Sequence, residues 1–184
     1  MKHIEFHPVT PDHWSDLEHL FESRGGPKHC WCMVFRPMST AFRRAGSSAK
    51  KQALHQTVVA DIPVGIIAYD GVEPVAWCSI APLESYTNLR TRSYVSDGSD
   101  TEGVWSIACF YIRSAFRRQA MTTLLINAAI DYAKDNDAKV VEAYPVDYDS
   151  PSYSYMGRIG TFERLGFKEI AMAGTRRHIM RLQL

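Results

Sequence analysis

At 184 residues, nearly half of them apolar and with charges that balance to +1, the chain has the size and composition of one ordinary globular domain, and residues 1–184 are read as a single domain. No run approaches the roughly 18 consecutive apolar residues of a membrane-crossing helix, and the opening MKHIEFHPVT is not a charged start followed by an apolar stretch and a cleavage site, so no secretory leader is expected. A cytoplasmic protein without a membrane partner is expected, and near-neutral charge with no recognised nucleic-acid module argues against nucleic-acid binding.

Residues 3–9 alternate in places and read as a first strand. Thr10, Pro11 and Asp12 then form a helix start: a capping hydroxyl, a proline where no N–H is needed, and an early acid facing the positive end. This helix runs to about Ser23 with Trp14, Leu17, Leu20 and Phe21 as its apolar stripe, and Arg24-Gly25-Gly26-Pro27 ends it. Residues 28–46 have no clear period and read as a long loop. Ser47 or Ser48 then caps a second helix whose Ala53, Leu54, Thr57 and Val58 share a face. Residues 63–69 and 75–81 are strands joined by the turn signal Asp70-Gly71. A polar connection, 84–103, leads to an apolar strand from Val104, a helix reaching about Lys134, and a strand over 139–146. A tyrosine- and serine-rich loop follows, then a short helix over 159–165 closed by Gly166. Residues 167–172 and 178–182 form a last hairpin.

Four cysteines do not make a disulfide framework in a chain of this size. Cys78 and Cys109 sit in apolar strand-like runs, where a free cysteine packs as a small hydrophobe. His29-Cys30-Trp31-Cys32 offers three soft ligands, but a structural zinc site wants four and no second pair is in view. A packed loop anchored by Trp31, with neither disulfide nor metal, is the expectation.

The most telling segment is VWSIACFYI, followed by the basic turn RSAFRRQA and the amphipathic MTTLLINAAIDYA. A strand that turns into a helix N-terminus presents amides with no intrahelical partner, the positive end of the helix dipole, and here two arginines, which together suit a phosphate. Read with the later TFERLGF and KVVEAYPV, this segment resembles the acyl-CoA-binding core of the Gcn5-related N-acetyltransferase (GNAT) superfamily, and CWCMVFR with VEAYPVD resembles an uncharacterised bacterial group within it. The family's glycine-rich loop aligns on Phe116 to Thr122: the arginine matches, while Ala120 and Thr122 replace the two glycines.

The resemblance implies an α/β (α+β) fold: a mixed, mainly antiparallel sheet flanked by helices and splayed between its fourth and fifth strands. It implies an acetyl-CoA-dependent N-acetyltransferase that moves an acetyl group to an amine of a small molecule or protein by direct attack in a ternary complex, with no metal. Phe110, Tyr111 and Ile112 inherit backbone contacts to the pantetheine and thioester carbonyl, and Arg117, Arg118, Gln119, Ala120, Met121 and Thr122 the pyrophosphate. The tyrosine that protonates the leaving thiolate in many relatives falls on Phe162. Tyr144, Tyr148, Tyr153 and Tyr155 are substitutes, with Tyr144 and Tyr155 preferred. Glu142 is the preferred base, and Asp147, Glu84 and Cys109 stay open beside it.

Between Arg24 and Ala60 no acid offsets Arg24, Lys28, Arg36, Arg43, Arg44, Lys50 and Lys51. A basic rim there favours an amine acceptor that also carries a carboxylate or phosphate, and a solvated basic face is the alternative. The departures at Ala120, Thr122 and Phe162 keep a non-catalytic acyl-CoA-binding or regulatory module as the rival function, and a homodimer stays open.

Overall fold

The computed structural model describes residues 3–40, 44, 46–87, 89–90 and 101–184. Seven strands form one sheet: β1 Ile4–Pro8, β2 Ile66–Asp70, β3 Glu73–Pro82, β4 Val104–Ile112, β5 Val140–Ala143, β6 Lys168–Ala173 and β7 Arg177–Gln183, in the order β1-β2-β3-β4-β5-β7-β6. Every neighbouring pair is antiparallel except β4 and β5. That parallel pair needs a crossover, which helix α3, Met121–Lys134, supplies.

Strand β3 is buried along nearly its whole length because both faces of the sheet are covered. Its Ala76, Cys78 and Ile80 face α3, whose Met121, Leu125, Ile126, Ala129, Ile130 and Ala133 recur at helical spacing and pack on that side. Trp77 faces the other way, onto helices α1, Trp14–Glu22, and α2, Gly46–Val59, among Leu17, Leu20, Phe21, Leu54 and Val58. Trp31 enters this second core almost fully buried, with ring centroids 5.3 Å from Phe21 and 5.9 Å from Trp14. The loop of residues 28–36 is therefore held by its indole, as expected.

Two irregularities of β4 shape the site. Ser79 pairs with Cys109 but Ile80 with Ile107, so Ala108 is an extra residue that bends the strand. Pairing of β4 with β5 ends at Ile107 and Ala143, while β4 runs on to Ile112. The expected splay of the fourth and fifth strands is present, and it leaves residues 108–112 with no β5 partner.

Several local expectations shift. Strand β5 stops at Ala143 rather than 146, because Pro145 has no N–H to give and Val146 makes only isolated bridges to Arg158 and Arg177. Thr10 caps no backbone group; its hydroxyl lies 2.9 Å from His13 Nδ1, and a 3-10 turn over Pro11–His13 precedes α1. Ser47 does not open α2 either: it sits inside the helix, accepts from the Trp31 indole at 3.3 Å and donates to the Lys28 carbonyl, tying helix to loop. Within the expected polar connection, residues 88 and 91–100 lie outside those described. No helix among the described residues is long and apolar enough to cross a membrane.

Candidate active site

The open end of β4 and the start of α3 enclose a cleft of about 710 Å³. Eight of the nine expected cofactor contacts line it: Phe110, Tyr111 and Ile112 from the strand, Arg117 and Arg118 from the turn, and Ala120, Met121 and Thr122 at the helix start. The ninth, Gln119, points elsewhere; its side-chain amide donates to the Ala115 carbonyl at 2.7 Å. Because β5 has ended, the edge of β4 facing away from β3 has no strand beside it over 110–112, and apart from the Ile112 carbonyl, which Arg117 takes, that edge is open to an extended ligand. The chain leaves β4 through a 3-10 turn, Ser114–Phe116, and reaches α3 with Arg118 at φ 60° and Ala120 at φ 57°. These two left-handed residues turn the first amides of α3 toward the cleft, where neither a side-chain cap nor an acid competes for them. Left-handed geometry is where glycine would be least strained, so the loop adopts the turn of a glycine-rich cradle with non-glycine residues. Arg117 steadies it by donating from Nε to the Ile112 carbonyl at 2.9 Å.

A second, apolar hollow of about 290 Å³ lies against the same strand, and Phe110, Tyr111 and Tyr155 line both spaces. Its remaining wall comes from the Trp31 loop, through Cys30, Cys32, Val34 and Phe35, and from Ala108 and Cys109 at the bulge. Cys32 Sγ is 2.8 Å from Cys109 Sγ. That contact, ahead of burial, pushes the Cys32 thiol well up, and a hydrogen bond with Cys32 does the same for Cys30. Thiols held in the protonated form are poor nucleophiles. All four cysteines are free, and no group of three or more His, Cys, Asp or Glu among the described residues is arranged to hold a metal.

Of the expected acid and base residues, only Tyr155 lines the cleft. Burial drives its phenol up to about 12, with smaller electrostatic contributions from Cys109 and Tyr153, so it keeps its proton at neutral pH. Tyr144 is fully buried and its hydroxyl donates to Glu142. Glu142 is also fully buried, with Oε2 bonded to Arg90 at 2.7 Å and to Arg181 at 2.8 Å, and Oε1 to Arg90 at 2.9 Å. Neither Tyr144 nor Glu142 reaches the cleft; they form one satisfied network with two arginines. Tyr148 is largely exposed, and the Tyr153 ring meets Tyr155 edge-on at 6.1 Å. Asp147 pairs with His178 at 3.3 Å, and Glu84 borders a separate hollow with Arg36. Phe162, where the resemblance leads one to expect a tyrosine, is fully buried between Phe110 and Phe167, with Gly157 over its ring.

The basic stretch does not form a rim on the apolar hollow. Arg36 is buried and donates to the Val64 carbonyl, Lys51 pairs with Glu18 and Glu22 on α1, and Lys50 donates to the His29 carbonyl. None of the six described cations lines the 290 Å³ space, and Arg43 lies outside the described residues. Residues that sequence reading missed are Ser154, Gly157, Thr161 and Arg164, which complete the far wall of the larger cleft. Gly157 carried a signal: it interrupts the tyrosine loop, and its φ of 90° beside the Phe162 ring leaves no room for a side chain.

The sequence model of the Acetyltransferase (GNAT) family matches residues 13–167. No curated protein matches the sequence. Among solved structures, the PaiA N-acetyltransferase of Thermoplasma acidophilum in complex with coenzyme A superposes with a TM-score of 0.58 at 11% identity, covering 99% of both chains. The ribosomal-protein-alanine N-acetyltransferase of Brucella melitensis gives 0.58 at 13%, over 98% of this chain and 99% of that one. The yncA protein of Salmonella typhimurium, solved with acetyl-CoA, gives 0.58 at 12%, over 98% and 94%. At such identities the likeness is one of fold.

Proposed function

Since this chain belongs to the GNAT acetyltransferase family, we propose that it is an N-acetyltransferase which brings acetyl-CoA and an amine together and lets the amine attack directly. One observation carries this reading: the unpaired end of β4 and the uncapped start of α3 face the same cleft. The open outer edge of β4 over Phe110 to Ile112 suits a pantetheine arm and polarises a carbonyl placed beside it. The first amides of α3, with Arg117 and Arg118, suit the pyrophosphate.

Acetyl-CoA supplies the electrophile, an acetyl thioester. The second hollow, which shares Phe110, Tyr111 and Tyr155 with the cleft, gives the amine its approach. Tyr155 takes the donor role that Phe162 vacates. With a phenol pushed up to about 12 it holds its proton, whereas a free thiol ionises near 8.5; outright transfer to a thiolate therefore runs uphill. Tyr155 acts instead by donating a hydrogen bond to the departing sulfur, and the proton shed by the acylated amine completes the thiol. The Glu142 network serves to hold β5 and β7 together. We place the protein in the cytoplasm, where the free thiols around Cys32 stay reduced.

The buried Phe162 and the strained Arg118 and Ala120 favour a second reading, a module that binds acyl-CoA without turnover. Calorimetric titration with acetyl-CoA and CoA, set beside a thiol-release assay over a panel of amines, separates the two. Binding with turnover supports the transferase, binding alone supports the module, and no binding removes both.

A further inference from the structure

Two kinds of arginine stand near the splay. Arg90 and Arg181 share the carboxylate of Glu142. Arg177, which opens β7 beyond the end of β5, has no carboxylate at all among the described residues. Its side chain is more than nine-tenths buried, with its guanidinium carbon 5.3 Å from the Phe35 ring centroid, 5.4 Å from that of Tyr153 and 5.9 Å from that of Tyr144. One nitrogen donates to the Leu89 carbonyl at 2.9 Å. The other donors have no partner among the described residues, yet none of them is sealed away from solvent. A cation taken out of water without an anion is costly, and aromatic faces offset only part of that cost. Burial accordingly pulls the Arg177 pKa down, with the three tyrosines 153, 144 and 155 acting the other way.

The position matters as much as the missing partner. Arg177 stands behind the lining of both spaces rather than in it: Phe35, under the guanidinium, is a wall of the apolar hollow, and Tyr155, which feels the Arg177 charge, lines both that hollow and the larger cleft. We infer that Arg177 is the anchor for a carboxylate on the acceptor, so that the amine substrate is a small amino-carboxylate whose apolar side chain fills the hollow beside Cys32, Val34 and Phe35. This rests on the transferase reading above and gives its acceptor a chemical class. The preference for an acidic acceptor, expected from the basic stretch before Ala60, is thus re-seated on a residue more than a hundred positions away. A guanidinium already fixed by stacking and by the Leu89 carbonyl loses little freedom on taking a two-pronged carboxylate.

The test uses the full-length protein, with and without CoA, and two probes matched in shape, phenylacetate and phenylacetamide. Calorimetry should show the carboxylate binding about tenfold or more tightly than the amide. Arg177→Gln should abolish that preference while its affinity for CoA is unchanged, and Arg177→Lys should keep part of the preference. If Arg177→Gln fails to fold, a crystal of the natural protein soaked in phenylacetate serves instead, with the carboxylate expected within hydrogen-bonding distance of Arg177. Equal affinity for the two probes, no binding of either at millimolar concentration, a preference that survives in Arg177→Gln, or a soaked carboxylate lodged elsewhere each overturns the assignment. Failure of CoA to bind the same preparation, with the probe preference intact, removes the transferase reading and leaves the anion site standing.

Discussion

Ala120 is the position where structure and chemistry make opposite demands, and substituting it separates them. It sits at φ 57° and ψ 11° immediately before α3. An L-residue there holds its Cβ too close to the neighbouring carbonyl, at about 1–2 kcal/mol, and glycine removes that strain while giving back about 0.4–1 kcal/mol of extra freedom in the unfolded chain. Ala120→Gly should therefore stabilise the protein by about 0.5–1 kcal/mol, or about 1–4 °C in Tm for a chain of this length, and leave CoA affinity intact or improved. Ala120→Asp should behave differently. Aspartate tolerates the left-handed region better than most residues, so unfolding of the ligand-free protein should change little, while a carboxylate placed against the pyrophosphate should abolish CoA binding. Arg118, at φ 60°, gives a third signature: Arg118→Gly should raise Tm yet weaken CoA binding, because it deletes a charge lining the cleft. Calorimetric melting without ligand and titration with CoA read both axes. A lower Tm for Ala120→Gly refutes the left-handed turn, and unchanged CoA affinity in Ala120→Asp refutes the placement of the pyrophosphate.

Tyr155→Phe should leave CoA affinity intact and cut kcat by about 10²- to 10⁴-fold if its hydroxyl serves the leaving sulfur; equal loss in Tyr153→Phe with none in Tyr155→Phe would reassign the role. Glu142→Ala removes the buried carboxylate on which Arg90, Arg181 and Tyr144 converge and should cost about 3–5 kcal/mol in urea unfolding; a variant of native stability with lost turnover would restore Glu142 as a base. His178 lies 3.1 Å from Glu169 and 3.3 Å from Asp147; burial lowers its pKa, but the two carboxylates outweigh this and raise it overall. Its contribution to stability is then fully present below the unfolded value near pH 6.5 and is lost as pH rises through the higher folded value, a slope in the unfolding free energy that His178→Gln should flatten. Gly157→Ala should destabilise by more than about 1 kcal/mol, since a Cβ at φ 90° would stand 2.8 Å from the Phe162 ring, and an unchanged Tm would show that this loop moves aside freely.

The cleft was legible in the sequence because it is built from backbone over contiguous residues. An apolar strand, a basic turn and an amphipathic helix lie within residues 104–134, and their order alone sets the open edge of β4 and the first amides of α3 around one space. Period also located the two-faced core, since the apolar positions of α1 and α3 recur every three to four residues and each stripe can only face the sheet. What period does not carry is partnership between distant side chains. Glu142 and Tyr144 lie two residues apart on the strand that borders the splay, and proximity in sequence made them resemble chemistry. Arg90 and Arg181, 52 and 39 residues away from Glu142, decide that they are interior ion-pair partners instead.

The same blindness explains the basic stretch. Charges between Arg24 and Ala60 count as seven cations on paper, but Lys51 is answered by Glu18 and Glu22 from the preceding helix, and Arg36 by the Val64 carbonyl and the Tyr86 hydroxyl. Arg177 shows the converse: in sequence it is one of two adjacent arginines in a C-terminal turn, with nothing to mark it. Only the fold shows that its neighbours are rings rather than acids. A local run of like charge therefore says less about a site's sign than one buried cation with no carboxylate beside it among the described residues. For the acceptor, a single anionic group held at Arg177 fits this charge arrangement better than a diffuse attraction spread across the surface of α2.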